Sequence, residues 1–300
     1  MNKYLIIILG PTAIGKTEVA IKISKSLNSE IISCDSRQFY RELIIGTAMP
    51  SSEQLSEVKH HFIGNKSIYD YYNVSKYETE VLELLQEIFR FNDKAMLVGG
   101  SGLYIDAICN GIDDIPDIDF EIRNTLINRL ETEGIERLRF ELKKLDPVYY
   151  SEVDLKNKKR IIRALEVCLS TGIPFSDFRT QNKKIRNFKI IKVGLNIERE
   201  KLYNRINQRV DMMIAEGLVE EARKYYKDRN LNTLNTVGYK ELFEYFDEKI
   251  ELETAIELIK RNTRHFAKRQ LSWFLRDKEI SWFNPGDIDE IMKYILQSIK

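Results

Sequence analysis

The 300-residue chain carries 47 Lys and Arg against 46 Asp and Glu, a formal net charge of +1, with 43% hydrophobic and 31% charged residues. Such a balance gives no bulk attraction to nucleic acid, and no stretch approaches the ~20 apolar residues of a membrane helix. Three scattered cysteines (Cys34, Cys109, Cys168) and three histidines, two of them adjacent at His60-His61, show no metal spacing and fit a reducing, cytoplasmic compartment.

Leu5–Leu9 reads as a short buried strand ended by a Gly-Pro turn, without the cleavage site of a signal peptide. From Glu18 to Leu27, Val19, Ala20, Ile23 and Leu27 recur at helical spacing. Glu30–Cys34 is a second strand that runs straight into Asp35-Ser36-Arg37-Gln38. Ser75 with Glu78 has the spacing of a capping box, ahead of a helical face made by Val81, Leu84, Leu85 and Ile88. Ala95–Val98 is a third strand, closed by the glycine-rich turn Gly99–Tyr104.

After Asp113 the texture changes. The acidic junction "DDIPDIDFEIR" leads into charged amphipathic helices from Arg123 to Thr171, strand character returns at Phe188–Asn196, and helices follow almost to the C-terminus. Alternating strands and helices predict an α/β fold, a parallel sheet of the P-loop type flanked by helices. The core spans 1–117 and 188–300, with a helical insertion domain at 118–187. Functional groups then belong at the carboxyl ends of the strands. Gly10–Thr17, Asp35–Gln38 and Gly99–Tyr104 all fall there.

The first of these, Gly10-Pro11-Thr12-Ala13-Ile14-Gly15-Lys16-Thr17, satisfies G-x-x-x-x-G-K-[ST] between a strand and a helix. Glycines let backbone N–H groups face an anion, the helix N-terminus adds a favourable dipole, and Lys16 adds charge. The Thr17 hydroxyl is placed to hold Mg²⁺. The loop implies a diphosphate or triphosphate without saying which. Asp35 fits a general base, a magnesium ligand or a helix cap. Gly99–Gly102 fits either a flexible turn or a diphosphate contact through Ser101. His60-His61 fits a loop better than a phosphate site.

In combination these segments resemble the tRNA dimethylallyltransferases, also called tRNA isopentenyltransferases. Eight blocks match that family in order: "GPTAIGKT", "SCDSRQFYRELIIGTAMP", "HHFIG", "VGGSGLY", "KRIIRALEV", "RVDMMIAEGLVEEA", "TVGYKE" and "AKRQLSWF". Ser101 stands where the family usually has threonine, keeping the hydroxyl. Phe62-Ile63-Gly64 replaces its Leu-Ile-Asp, so any role of that carboxylate does not carry over.

The resemblance implies transfer of a dimethylallyl group from dimethylallyl diphosphate to N6 of the adenosine 3′ of a tRNA anticodon. The phosphate loop would hold the donor's diphosphate with Mg²⁺. Asp35 would take the N6 proton, and Ser101 and Arg209 would add contacts to the leaving group. Asp35, Ser36, Arg37 and Gln38 would lie beside the acceptor, Gln38 against the adenine edge, with Phe39 and Tyr40 either packing on the loop or in the core. The base must leave its stack to react, which a single-stranded anticodon loop makes easier.

Three basic clusters are candidate phosphate contacts. They are Lys156, Lys158, Lys159, Arg160 and Arg163; Lys183, Lys184 and Arg186; and Lys260, Arg261, Arg264, Lys268 and Arg269, interleaved with Phe266 and Trp273. The family match singles out Arg269, Gln270 and Trp273 for the anticodon stem-loop. A monomer is the default. The rivals are a P-loop small-molecule kinase, which would use ATP, an isopentenyltransferase acting on free adenine nucleotides, and an inactive tRNA-binding module. The long insertion argues against the first two, and intact Lys16, Thr17 and Asp35 against the third.

Overall fold

The computed structural model describes residues 2–116, 120–180 and 183–299. Six parallel strands form one sheet: β1 (Tyr4–Leu9), β2 (Ile31–Cys34), β3 (His60–His61), β4 (Lys94–Gly99), β5 (Lys189–Leu195) and β6 (Ser281–Phe283), in the order β3-β2-β4-β1-β5-β6. All six residues of β1 are buried, because both faces of the sheet are covered. Tyr4, Ile6 and Ile8 face one core with Val19, Ala20 and Ile23 of the helix Lys16–Leu27 and with Leu202, Ile206, Ile291 and Ile295. Leu5, Ile7 and Leu9 face the other, against Tyr77, Val81 and Leu85 of the helix Val74–Phe91 and Ile105 and Ile108 of the helix Gly102–Asn110. At ~1.5–3 kcal/mol for each fully buried large aliphatic side chain, this two-sided strand is the main anchor of the sheet.

Register brings the strand ends level. Leu9 pairs with Gly99 and Gly194, and Gly99 with Cys34, so the segments after β1, β2 and β4 leave the sheet side by side. That is the shared carboxyl edge at which the sequence places the three functional segments. The strands β3 and β6, with two and three residues, are too short to show a period and were not expected.

The helix starting near Ser75 is capped differently from expectation. Asn73 is its N-cap, its side chain accepting the Lys76 N–H at 2.9 Å, and Ser75 lies inside the helix. Glu78 turns inward instead, to a buried ion pair with Arg186 at 2.6 Å. A carboxylate on the buried face of the helix is better used against a buried guanidinium than on an exposed cap.

The chain divides into two compact units, Met1–Cys109 with Arg186–Lys300, and Asn110–Ile185. The second unit starts earlier than the insertion expected at 118–187, and residue 118 itself lies outside the described residues. Arg186 belongs to the first unit because its guanidinium donates to the Ile108 and Ala107 carbonyls as well as to Glu78. The second unit is helical, packing Leu126, Leu138, Leu142, Ile161, Leu165 and Phe175 around its own core. Within it Glu166 is completely buried, its carboxylate held by Arg123 at 2.6 and 3.1 Å and by Arg163 at 3.4 Å.

Candidate active site

The phosphate loop leaves β1 through Gly10, where an added Cβ would lie 2.6 Å from the Leu195 carbonyl oxygen, and enters its helix through Gly15 at φ +98°. Lys16 folds back so that its ammonium donates to the Pro11 carbonyl at 2.8 Å. Burial lowers its pKa to about 8, against the opposing pull of Asp35, and Arg209 adds to the lowering. A cation held in this state is short of negative charge, as the floor of an anion site should be. Arg209, on the helix Arg199–Ala215, donates to the Thr12 hydroxyl at 3.3 Å. Burial also lowers its pKa, and Asp35 opposes this. One turn earlier Arg205 donates to the Ile14 carbonyl at 3.2 Å. The sequence reading missed Arg205, although its i−4 spacing from Arg209 on a helix was a usable signal.

Beside this cationic group lies Asp35, at the end of β2. Its Oδ1 accepts the Arg37 N–H at 3.0 Å, so it caps its own turn and still stands within electrostatic reach of both Lys16 and Arg209. The two sequence options, cap and chemistry, are therefore compatible. Ser101, in the turn after β4, accepts the Ser36 N–H at 3.0 Å and donates to the Ser36 hydroxyl at 3.3 Å. It is a strut between the two strand ends.

Among the described residues no group of three or more His, Cys, Asp and Glu side chains could hold a metal ion. Asp35 within electrostatic reach of Lys16, the neighbour of Thr17 in the chain, is a sparse set that would suit magnesium, which retains water and takes most of its ligands from substrate phosphates. The donor set fits that ion and not a fully protein-built cage.

A sequence-family model described as IPP transferase matches residues 38–277. The tRNA dimethylallyltransferase 1 of Bacteroides fragilis is 52% identical over 99% of this chain and 99% of its own. The chain belongs to the tRNA dimethylallyltransferase family. The tRNA dimethylallyltransferase of Christiangramia forsetii is 53% identical, covering 100% of this chain and 98% of that one. Among solved structures, the tRNA isopentenylpyrophosphate transferase from Bacillus halodurans is 36% identical with a TM-score of 0.72, over 99% of this chain and 96% of that chain. A eukaryotic dimethylallyltransferase at 24% identity shares the fold, with a TM-score of 0.80 over 99% of this chain and 77% of that one.

In this member of the family several residues expected at an acceptor surface are held by the protein itself. The Gln38 amide donates to the Thr47 and Ala48 carbonyls at 3.2 and 2.9 Å and accepts from Ser33, so it shapes the loop beside Asp35. Arg37 donates to the carbonyls of Asn232 and Thr233. Phe39 is fully buried among Phe62, Tyr72, Tyr77 and Tyr104, and Tyr40 is buried too, which settles both as core. Gln270 is likewise buried, bonded to Thr12 and Gly100.

The basic clusters separate in the same way. Lys159, Arg160 and Arg269 are exposed, whereas Arg163 serves the buried Glu166 and Arg186 the buried Glu78. Lys260 pairs with Asp211 and Glu257, Lys184 with Asp114, and Arg264 bonds Asn207. Trp273 is 37% exposed, with its indole N–H donating to Asp106 at 2.9 Å and the Arg276 guanidinium 5.9 Å from its ring. Asp106, unmarked by any motif, is a partner the sequence did not reveal. His60 and His61 sit on β3 opposite Ile31 and Ile32, upstream of the sheet's carboxyl edge. The His61 ring bonds Glu30 at 2.6 Å and His60 bonds the Val58 carbonyl at 2.7 Å, which leaves them a strand-edge role away from the phosphate loop.

Proposed function

We propose that this protein transfers a dimethylallyl group from dimethylallyl diphosphate to N6 of the adenosine 3′-adjacent to a tRNA anticodon, releasing diphosphate, in the cytoplasm. Family membership supports the class of reaction, and the relatives' names supply tRNA as the acceptor. One observation carries the chemistry: a phosphate loop with Lys16 and Arg209 lies next to a carboxylate, Asp35, at adjoining strand ends.

In this reading the loop amides, Lys16 and Arg209 bind the donor's diphosphate. As the bond between the allylic carbon and the diphosphate oxygen breaks, negative charge grows on that oxygen and the prearranged cations stabilise it. N6 forms the new bond to carbon, its proton passes to Asp35, and diphosphate departs. Magnesium, held by Thr17 with phosphate oxygens and water, would supply further neutralisation of the leaving group. Ser101 keeps Asp35 in place through Ser36. The exposed Lys159, Arg160, Arg269 and Trp273 are the side chains offered to the anticodon stem-loop.

The test is a transfer assay with Mg²⁺, unmodified tRNA and donor labelled in the prenyl group, followed by nucleoside analysis. Label in N6-dimethylallyladenosine from tRNA supports the proposal. Label moving to AMP instead, or hydrolysis of ATP with no prenyl transfer, replaces it with one of the rivals.

A further inference from the structure

The helix Leu252–Phe274 buries a single long polar side chain, Gln270, where the helix meets the ends of β1 and β4. Its Oε1 accepts the Thr12 N–H at 2.9 Å, and its Nε2 donates to the Gly100 carbonyl at 2.8 Å. A Cβ at position 100 would lie 2.3 Å from that Nε2, so the close approach of the amide requires glycine there. Thr12 is at the same time the residue whose hydroxyl Arg209 engages. One buried amide therefore joins the phosphate loop to the turn that carries Ser101. A buried amide that loses its partners is costly, so these two bonds fix one orientation of the side chain.

We propose that Gln270 is a positioning residue for the phosphate loop. By holding the Thr12 backbone it sets the remaining loop amides, Lys16 and Arg209 around the incoming diphosphate. It does this from the helix whose exposed neighbours, Arg269 and Trp273, are offered to tRNA. The identity of the anion rests on the transfer reading above; the positioning rests on the geometry of Thr12, Gly100 and Gln270.

Two variants test it. Gln270→Met keeps the shape and removes both bonds, and Gln270→Glu keeps the acceptor for Thr12 but sets an anion against the Gly100 carbonyl. Each is measured by steady-state transfer with one substrate varied at a time, and by calorimetric binding of inorganic pyrophosphate with Mg²⁺. In Gln270→Met the KM for the allylic donor and the Kd for pyrophosphate should both rise about tenfold, the worth of one hydrogen bond of ordinary net strength. Gln270→Glu should raise both as well, because a carboxylate repelled by the Gly100 carbonyl loses the orientation that seats it on Thr12, with the KM for tRNA unchanged in both. A donor KM unchanged in both variants, or a tRNA KM that rises in step with it, overturns the proposal. Should Gln270→Met fail to fold, Gln270→Glu decides by the same two readouts. If wild type transfers no prenyl group yet binds pyrophosphate about tenfold more tightly than Gln270→Met, positioning stands and the transfer reading falls.

Discussion

The Ser101 hydroxyl accepts the backbone N–H of Ser36, a residue 65 positions earlier in the chain, at 3.0 Å. This bond fixes the residue next to Asp35 from the neighbouring strand end, so the proposed base is held from outside its own loop. Ser101→Ala should lower kcat by about 10–100-fold through a small misplacement of Asp35, with the donor KM moving less. Ser101→Thr should retain most of the activity, because the hydroxyl remains. Binding of pyrophosphate with Mg²⁺ by the two variants distinguishes a strut, which leaves the Kd unchanged in Ser101→Ala, from a diphosphate ligand, whose loss raises it.

Asp35→Asn is the cleaner probe of the base. The amide oxygen still accepts the Arg37 N–H that Oδ1 accepts now, so the turn survives while proton transfer does not. A kcat loss of about 10²–10⁴-fold with an unchanged melting temperature is expected. Asp35→Ala should in addition lower stability by about 1 kcal/mol, the loss of a cap. Equal melting temperatures for the two variants would show that the turn does not depend on the side-chain oxygen that accepts the Arg37 N–H.

Lys16 sets a pH limit. With its pKa lowered to about 8 by burial, its charge is present in the free protein below that pH and lost as pH rises through it. A bound diphosphate favours the ammonium and moves the limit upward. The donor kcat/KM, which reports the free protein, should therefore fall above pH ~8, while kcat stays level to higher pH. Lys16→Met should remove this limb along with most of the activity. Stability runs the other way: between about 8 and 10.5 the unfolded chain binds the proton the folded one has released, so folding becomes more favourable with pH.

Lys159→Ala, Arg160→Ala and Arg269→Ala should each weaken tRNA binding and reduce the slope of log K against log salt by about one, if each cation meets a phosphate. Their unfolding curves should match wild type, since all three side chains are exposed. Filter binding across a salt series gives the slopes.

Arg123→Ala should destabilise the second unit, because Glu166 is fully buried and would lose its two shortest bonds. Removing one partner of a buried pair costs ~3–5 kcal/mol. Arg123 is itself 41% exposed and Arg163 remains as a second partner, so the lower end is expected. Urea unfolding measures the loss, and Glu166→Gln in the Arg123→Ala background should recover part of it by removing the stranded charge.

Local pattern was enough for much of this molecule. The apolar run of β1, its Gly-Pro exit and the G-x-x-x-x-G-K-T spacing specify a strand, a turn and a phosphate-binding helix start within a few residues of chain. Parallel βα alternation then places Asp35 and Ser101 at the same edge. These inferences work because backbone sterics and side-chain period act over short distances.

The partners of polar side chains were decided only by tertiary structure. Gln38, Gln270, Arg163 and Arg186 are polar side chains as Lys159 and Arg269 are, and nothing in their immediate neighbours marks them as inward-facing. Packing places each against a carbonyl or carboxylate distant in sequence: Gln270 against Gly100, Arg186 against Glu78, Arg163 within a pair completed by Arg123. Whether a charged or amide group meets solvent or a buried partner depends on which elements cross at that point. The sequence by itself determined the four longer strands β1, β2, β4 and β5, the loop and the order of the chemical groups; only the folded chain added the short edge strands and determined which of those groups hold the protein together and which remain exposed for a substrate, since burial makes an unpaired polar group costly and so forces the pairing.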